Sequence, residues 1–308
     1  MKTPVAFLIF NRPDTTEKVF QAIRQAQPPQ LLVVADGPRP DQPEDVRDCA
    51  AARSIIEQVD WDCQVMKNYA DVNLGGGRRI ASGLDWVFDT VDRAIALEDD
   101  CLPHPSFFRY CEELLEKYQD DDRIATIPGT IGLGRWKPDS QSYHFSYWPS
   151  PVWGWASRSR AWRYYDHNIK AWAIPAVKRK IRAFMPEDAL FMGMVWPFEQ
   201  VHLKNSIDIW DWLWYFAILS HSGLAIVPSV NLVSNLGFGP KATHTKSRRQ
   251  RVVGRTYSLN FPLTHPKEVA IDRDYHTEIT KVTWSQKILA QLKAKLRPYK
   301  RYFLKFLD

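Results

Sequence analysis

The sequence has only four cysteines, Cys49, Cys63, Cys101 and Cys111, with no CxxC pair and no metal-finger spacing. Zinc-finger and dithiol redox chemistry are excluded as organising features, and the thiols are expected to be reduced and buried. No apolar stretch reaches the ~20 residues that a membrane-spanning helix needs. The opening MKTPVAFLIFNRPD turns charged too soon for a secretory signal. The expectation is a cytoplasmic protein, at most peripheral on the inner face of a membrane. Walker A and GxGxxG loops are missing, which argues against an ATPase or a dinucleotide site. Internal repeats and low-complexity segments are also missing.

What is present suits a large soluble α/β body. A hydrophobic fraction of 45% and a charged fraction of 25% over 308 residues allow a full core. Aromatics reach 13%, and most of the 13 tryptophans lie between Trp136 and Trp214. Flat rings in such numbers pack a core more often than they stack on sugars. The net charge of +6 favours anionic partners such as phosphates or acidic lipid headgroups. Nucleic acid fits less well, because the basic excess lies mainly after residue 245.

The first half alternates strand and helix signals. Val5–Phe10, Leu31–Ala35, Gln64–Lys67 and Ala94–Leu97 read as strands. Thr15–Ala26, Val46–Val59 and a helix opened by Asn73-Leu74-Gly75-Gly76-Gly77-Arg78-Arg79 read as helices, the last with Ile80, Leu84, Val87, Phe88 and Val91 on one face. This alternation predicts a mostly parallel, Rossmann-like sheet flanked by helices, with ligands beyond the carboxyl ends of the strands. Asn11, Arg12, Asp36 and Asp100 all fall at such ends. The second half is less regular: an aromatic loop from Trp148 to Tyr165, a helix over Asp211–Ser220, a strand near Leu224–Val227 and a glycine-punctuated loop over Ser234–Thr245.

Chemistry concentrates at Glu98-Asp99-Asp100, directly after the buried run AIAL. Three adjacent carboxylates repel one another, and a hard divalent cation, Mn²⁺ or Mg²⁺, is a natural compensator. The bland alternative is a solvated acidic turn. The NLGGGRR loop offers backbone N–H groups, a helix N-terminus and Arg78 and Arg79 to a phosphate, or it is simply a tight turn. Asp36, before Gly37-Pro38, is either an Asx turn or a carboxylate for a nucleobase N–H. Asp211, between Trp210 and Trp212, reads as a helix cap, or as a general base whose pKa burial would raise. His244 is a candidate phosphate or metal ligand, although a lone histidine is more often neither.

Taken in order, FNRP, ADG, the glycine/basic helix start and ALEDDCLPHPSFFRY resemble the donor half of GT-A glycosyltransferases. The likeness is to the N-acetylglucosaminyltransferase I group and related bacterial nucleotide-diphospho-sugar transferases. PVWGW, IDIWDW and SNLGFGPKATHT follow in the order of that group's acceptor-side motifs, so the resemblance covers about residues 4–247. It implies a donor-binding set of Asn11, Arg12, Asp36, Arg78, Arg79, Glu98, Asp99 and His244. Within that set Arg12 meets the phosphates, Asp36 the uracil, and Glu98 and Asp99 the ribose. It further implies a metal on Asp100, Asp211 as catalytic base, and Trp153, Gly154, Trp155 and Trp210 around the acceptor sugar.

The implied protein is an inverting, metal-dependent transferase that uses a UDP-sugar such as UDP-GlcNAc and a glycan or lipid-linked acceptor. Its donor half would span 1–129, its acceptor half 130–247, and a basic extension 248–308. Pro240-Lys241 puts a cation in the closing loop, and residues 130–146 match no motif of the group. In the extension, Ile288, Leu292, Leu296, Tyr299 and Phe303 share a helical face beside Lys293, Arg297 and Lys300, a pattern for docking on the body or on an anionic membrane. A nucleotidyltransferase and a non-catalytic nucleotide-sugar- or lipid-binding protein are the competing readings. The first normally needs a glycine-rich, lysine-bearing first loop, which FNRPDTTEK does not supply.

Overall fold

The computed structural model describes residues 1–148, 151–204, 210–237 and 254–282. The chain begins with four strands separated by three helices: β1 Val5–Ile9, α1 Pro13–Ala26, β2 Gln30–Ala35, α2 Pro43–Ile55, β3 Gln64–Tyr69, α3 Gly76–Thr90 and β4 Arg93–Glu98. These strands pair in parallel in the order β3-β2-β1-β4. β1 and β2 are buried almost throughout, as an apolar run covered on both faces must be. α2 starts three residues before its predicted Val46 because Pro43 occupies the first turn, where its fixed φ and missing N–H cost nothing.

The chain then makes β5 Cys101–Pro103, α4 Pro105–Lys117, β6 Ile124–Pro128, β7 Tyr143–Ser146, β8 Trp155–Arg158, α5 Ser159–Trp162, α6 Pro175–Phe184, α7 Asp188–Lys204, α8 Trp210–Ser220, β9 Leu224–Pro228 and β10 Val233–Asn235. The central sheet has eight strands in the order β3-β2-β1-β4-β8-β6-β9-β7. Beyond β4 it is mixed: β8 runs antiparallel to both β4 and β6, β9 parallel to β6, and β7 antiparallel to β9. β5 and β10 form a separate antiparallel ribbon. The fold is α/β and Rossmann-like.

The aromatic loop expected over Trp148–Tyr165 contains β8, a strand too short and too fully buried to show alternation. Trp155 on β8 stacks with Trp210 and packs against Phe88, Trp162 and Trp214. Most of the tryptophan-rich stretch is therefore core. Cys49, Cys101 and Cys111 are buried, Cys63 is half-buried, and all four are free thiols.

The described part of the expected extension, 254–282, lies on the body. The Ser142 N–H donates to the Thr264 carbonyl and the Thr264 N–H to Ser142 Oγ, both at 2.9 Å. Ile271 bridges Phe145 on the outer edge of β7, and Leu259, Leu263, Tyr275 and Ile279 are buried. The helical pattern after residue 283, together with His244, Pro240 and Lys241, lies outside the described residues. Among the described residues no helix is long and apolar enough to cross a membrane.

Candidate active site

The carboxyl ends of β1, β2 and β4 meet at one edge of the sheet, and the polar residues that follow them face each other there. After β1 comes Arg12, whose Nη2 lies 2.5 Å from Asp99 Oδ1 and whose Nη1 donates to Asp100 Oδ2 at 2.7 Å. The Phe10 N–H donates to Asp99 Oδ2 at 3.0 Å. One guanidinium thus answers two carboxylates, and both hold the arginine firmly protonated. Burial first, then the Asp100 charge, push the Glu98 carboxyl up to about 8, with Arg12 opposing and Asp99 and Asp211 adding to the push. Asp99 is raised for the same first reason, burial, with Arg12 opposing.

Asp36, after β2, is buried and braces a turn. Its Oδ1 accepts the Gly37 and Leu74 N–H groups, each at 2.9 Å, and its Oδ2 accepts Asn73 Nδ2–H at 3.0 Å. A Cβ on Gly37 would lie 2.4 Å from the Val72 carbonyl carbon, so only glycine permits this approach. The NLGGG segment is therefore tied to Asp36 by its first two residues. Arg79 is buried rather than presented to a ligand: Nε donates to the Ala35 carbonyl at 3.1 Å and Nη2 to Asn68 Oδ1 at 2.7 Å. It closes the ends of β2 and β3. Arg78 is exposed on the first turn of α3.

Asn11 donates to Asp45 Oδ1 at 2.6 Å, and Arg39 holds the same carboxylate through Nε at 2.6 Å and Nη2 at 2.9 Å. Asp45 is drawn down to about 2, Arg39 being the largest cause. Neither Asp45 nor Arg39 stood out in the sequence. An acid in the first turn of a helix reads as a dipole partner, and only the fold sets it beneath Asn11.

Two remote segments complete the site. The β5–β10 ribbon pairs Asn235 with Cys101, and the Leu236 N–H donates to the Asp100 carbonyl at 2.7 Å. The next residue, Gly237, lies so close that an added Cβ would fall 2.2 Å from Asp100 Oδ2. The glycine loop thus rests bare backbone on the carboxylate. From the other side α8 brings half-buried Asp211 in its first turn, near enough for its charge to act on Glu98, Tyr165 and Tyr215.

Gly154 takes φ +64°, and a side chain there would also meet Val233 and Leu97. It lets the PVWGW segment cross the end of β4. Trp153 beside it is half-buried. Trp155 and Trp210, expected at the acceptor sugar, are buried at 2% and 7% exposure, stacked on each other. Their faces belong to the core, and they back the site instead of lining it.

The Asp100 carboxylate oxygens are of the hard type that suits Mn²⁺ or Mg²⁺, although in this structure Oδ2 accepts from Arg12 Nη1 at 2.7 Å and Oδ1 lies 3.4 Å from Cys101 Sγ. Among the described residues no group of three or more His, Cys, Asp or Glu side chains is arranged for a metal. An ion here would depend on Asp100 together with substrate phosphate and water, which is how Mg²⁺ is commonly held.

No protein-family model matches the sequence, nor does any curated protein. Solved structures match the chain at low scores. Residues 1–349 of S. aureus TarS match at 9% identity over 76% of this chain and 59% of that one, with a TM-score of 0.43. A UDP-glucose pyrophosphorylase complexed with UDP-glucose matches at 11% over 53% and 79%, TM-score 0.31. Mouse xyloside xylosyltransferase 1 matches at 9% over 71% and 82%, TM-score 0.32. The chain thus spans about three-fifths of the TarS fragment's length. Activity has to be argued from the site.

Proposed function

We propose that the chain is a GT-A-type, inverting glycosyltransferase that moves a sugar from a UDP-sugar to an acceptor hydroxyl. The observation that carries this reading is the cluster of Arg12 with Glu98-Asp99-Asp100 at the carboxyl edge of the sheet, with Asp211 of α8 close enough for its charge to act on Glu98. One acidic cluster suits the nucleoside diphosphate, and a separate carboxylate suits the acceptor. Arg12, with a third (33%) of its side chain exposed, is the cation best placed to meet the diphosphate while Asp99 and Asp100 fix its direction. Among the described residues Asp36 Oδ2 accepts only Asn73 Nδ2–H, and it has capacity for a pyrimidine N–H.

Asp100 is the residue to hold Mn²⁺ or Mg²⁺, which when bound would neutralise charge on the departing diphosphate. Asp211 takes the acceptor hydroxyl proton as the sugar carbon is attacked. One base without an enzyme nucleophile implies inversion, by the logic established for glycosidases. Trp153 and the 130–146 segment stand on the acceptor side of this scheme, and the acceptor is a glycan or a lipid-linked sugar. The link between β1 and α1, Phe10-Asn11-Arg12, contains no glycine or lysine, which disfavours nucleotidyl transfer.

A thermal-shift panel of nucleotide sugars and nucleoside triphosphates, with and without Mn²⁺, tests the reading. Selective stabilisation by a UDP-sugar is expected, with UDP-GlcNAc the first to try. Stabilisation by triphosphates alone would replace transferase by nucleotidyltransferase, and no response to any nucleotide would leave only a non-catalytic role.

A further inference from the structure

α7 breaks the rule for a surface helix. Its inner face carries Leu190, Met194, Phe198 and Val201, all buried. Its outer face carries Met192, Trp196 and Leu203, which are 60%, 68% and 73% exposed. At 3.6 residues per turn these three fall within about 40° of arc, along roughly 16 Å of helix. A helix that is apolar all round belongs inside a protein or against lipid, yet α7 lies at the surface. Scattered exposed apolar residues need no explanation, but a stripe on one helix does.

Glu199 lies in the same arc and would spoil the stripe for an apolar or anionic partner. It is already paired: Lys178 of α6 reaches it at 2.8 Å, while its ammonium also sits 4.5 Å from the centre of the Trp172 ring. Arg182, one turn further along α6, is paired with Asp188 and lies over the Phe191 ring at 5.1 Å. α6 has four basic residues and no acid in PAVKRKIRAF. With Lys178 and Arg182 matched by α7 carboxylates, exposed Arg179 and Lys180 make no ion pair among the described residues. α7 thus presents an apolar stripe with a tryptophan at its middle, and the neighbouring α6 carries positive charge that no carboxylate among the described residues balances. Tryptophan with flanking Lys and Arg is the composition that settles at the headgroup level of a bilayer, and the uncompensated cations select anionic headgroups.

We propose that the outer face of α7 and the basic surface of α6 dock this protein on an anionic lipid bilayer. α7 packs against α8, whose first turn carries Asp211. The inference does not require the transferase activity and is distinct from any contribution of the segment after residue 283.

Co-sedimentation of the full chain with phosphatidylglycerol-containing vesicles and with pure phosphatidylcholine vesicles, at low and high salt, tests it. The parent is expected to pellet with the anionic vesicles at low salt and to be released by high salt. The combined variant Met192→Ser, Trp196→Ser, Leu203→Ser should lose roughly tenfold of that binding with its thermal melt unchanged. Arg179→Glu with Lys180→Glu, both on exposed helix surface, should lose a comparable amount, and serves as the readout if the stripe variant melts early. Failure of the parent to bind overturns the proposal, as does binding by both variants equal to the parent's, which would move the contact elsewhere. A parent that elutes as a dimer and a stripe variant that elutes as a monomer would also overturn it, giving the face to a second copy.

Discussion

The two ends of the central sheet are built on different principles. In the β3-β2-β1-β4 half, polar groups at the strand ends are bonded mainly to one another: Asp36 to three donors, Arg79 to Ala35 and Asn68, Asp45 to Asn11 and Arg39, and Arg12 to Asp99 and Asp100. In the β8-β6-β9-β7 half the corresponding space is filled with rings, and Asp211 emerges from an aromatic core. The first arrangement fixes geometry before a ligand arrives. The second supplies rigid apolar backing and leaves the polar contacts few. Under the proposed reading, the former suits the sugar-nucleotide donor and the latter the acceptor.

The largest expected effect is at the joint between the halves. Asp100→Ala should abolish Mn²⁺-dependent UDP binding in calorimetry while the melting curve remains cooperative; unchanged affinity would remove Asp100 from the metal. Asp211→Asn should reduce turnover on the order of 10²-fold or more, with donor affinity retained. If Asp211→Asn weakened donor binding as much as Asp100→Ala does, the division between a donor half and an acceptor half would collapse. Near-parental turnover in the same variant would end its role as base.

A smaller effect is expected from Asp36→Ala, which leaves three donors without their acceptor. A loss of about 1–3 kcal/mol in urea-determined stability follows from unsatisfied buried groups. Preference for uridine over other nucleotides should relax in parallel. A stability loss with intact uridine preference would make Asp36 a brace only.

The smallest effect sharpens the contrast by pH. His144 and His276 are both pushed down to about 3, burial being the first cause in each. The unfolded chain protonates them near the ordinary 6.5, so folding is fully supported above that value and weakens as pH falls from 6.5 towards 3. The folded chain should show a lower urea midpoint at pH 5 than at pH 7, and His144→Leu with His276→Leu should flatten that slope. An unchanged slope in the double variant would place the acid sensitivity elsewhere. Asp45, drawn down to about 2 chiefly by Arg39, stays ionised over the same range and adds nothing to that slope.

The donor half was legible in sequence because parallel strands buried on both faces are continuous apolar runs with punctuation between them. β1, β2, β4 and α3 fell within a residue or two of expectation, and Glu98-Asp99-Asp100 stood where the strand ended. The reading of Arg79 as a phosphate ligand does not fit its burial at the ends of β2 and β3, since a basic helix start looks the same whether it serves a phosphate or a neighbouring strand. β8 was hidden because four residues, the first three of them buried in a row, carry no alternation. The exposed stripe of α7 was invisible for the opposite reason: a helix with apolar residues on every side has no periodicity to mark which face is outside.

The β5–β10 ribbon has a consequence for synthesis. Cys101 emerges early and Asn235 late, and Gly237 can rest on Asp100 only once both strands exist. A nascent chain released at residue 200 would already own Arg12, Asp36 and the three acids, yet would lack both Asp211 and the backbone seat against Asp100. Arg12, Asp36 and the acidic cluster are thus made first by the ribosome, and the parts that complete the candidate site come last, so a truncated product of translation would lack a complete candidate site.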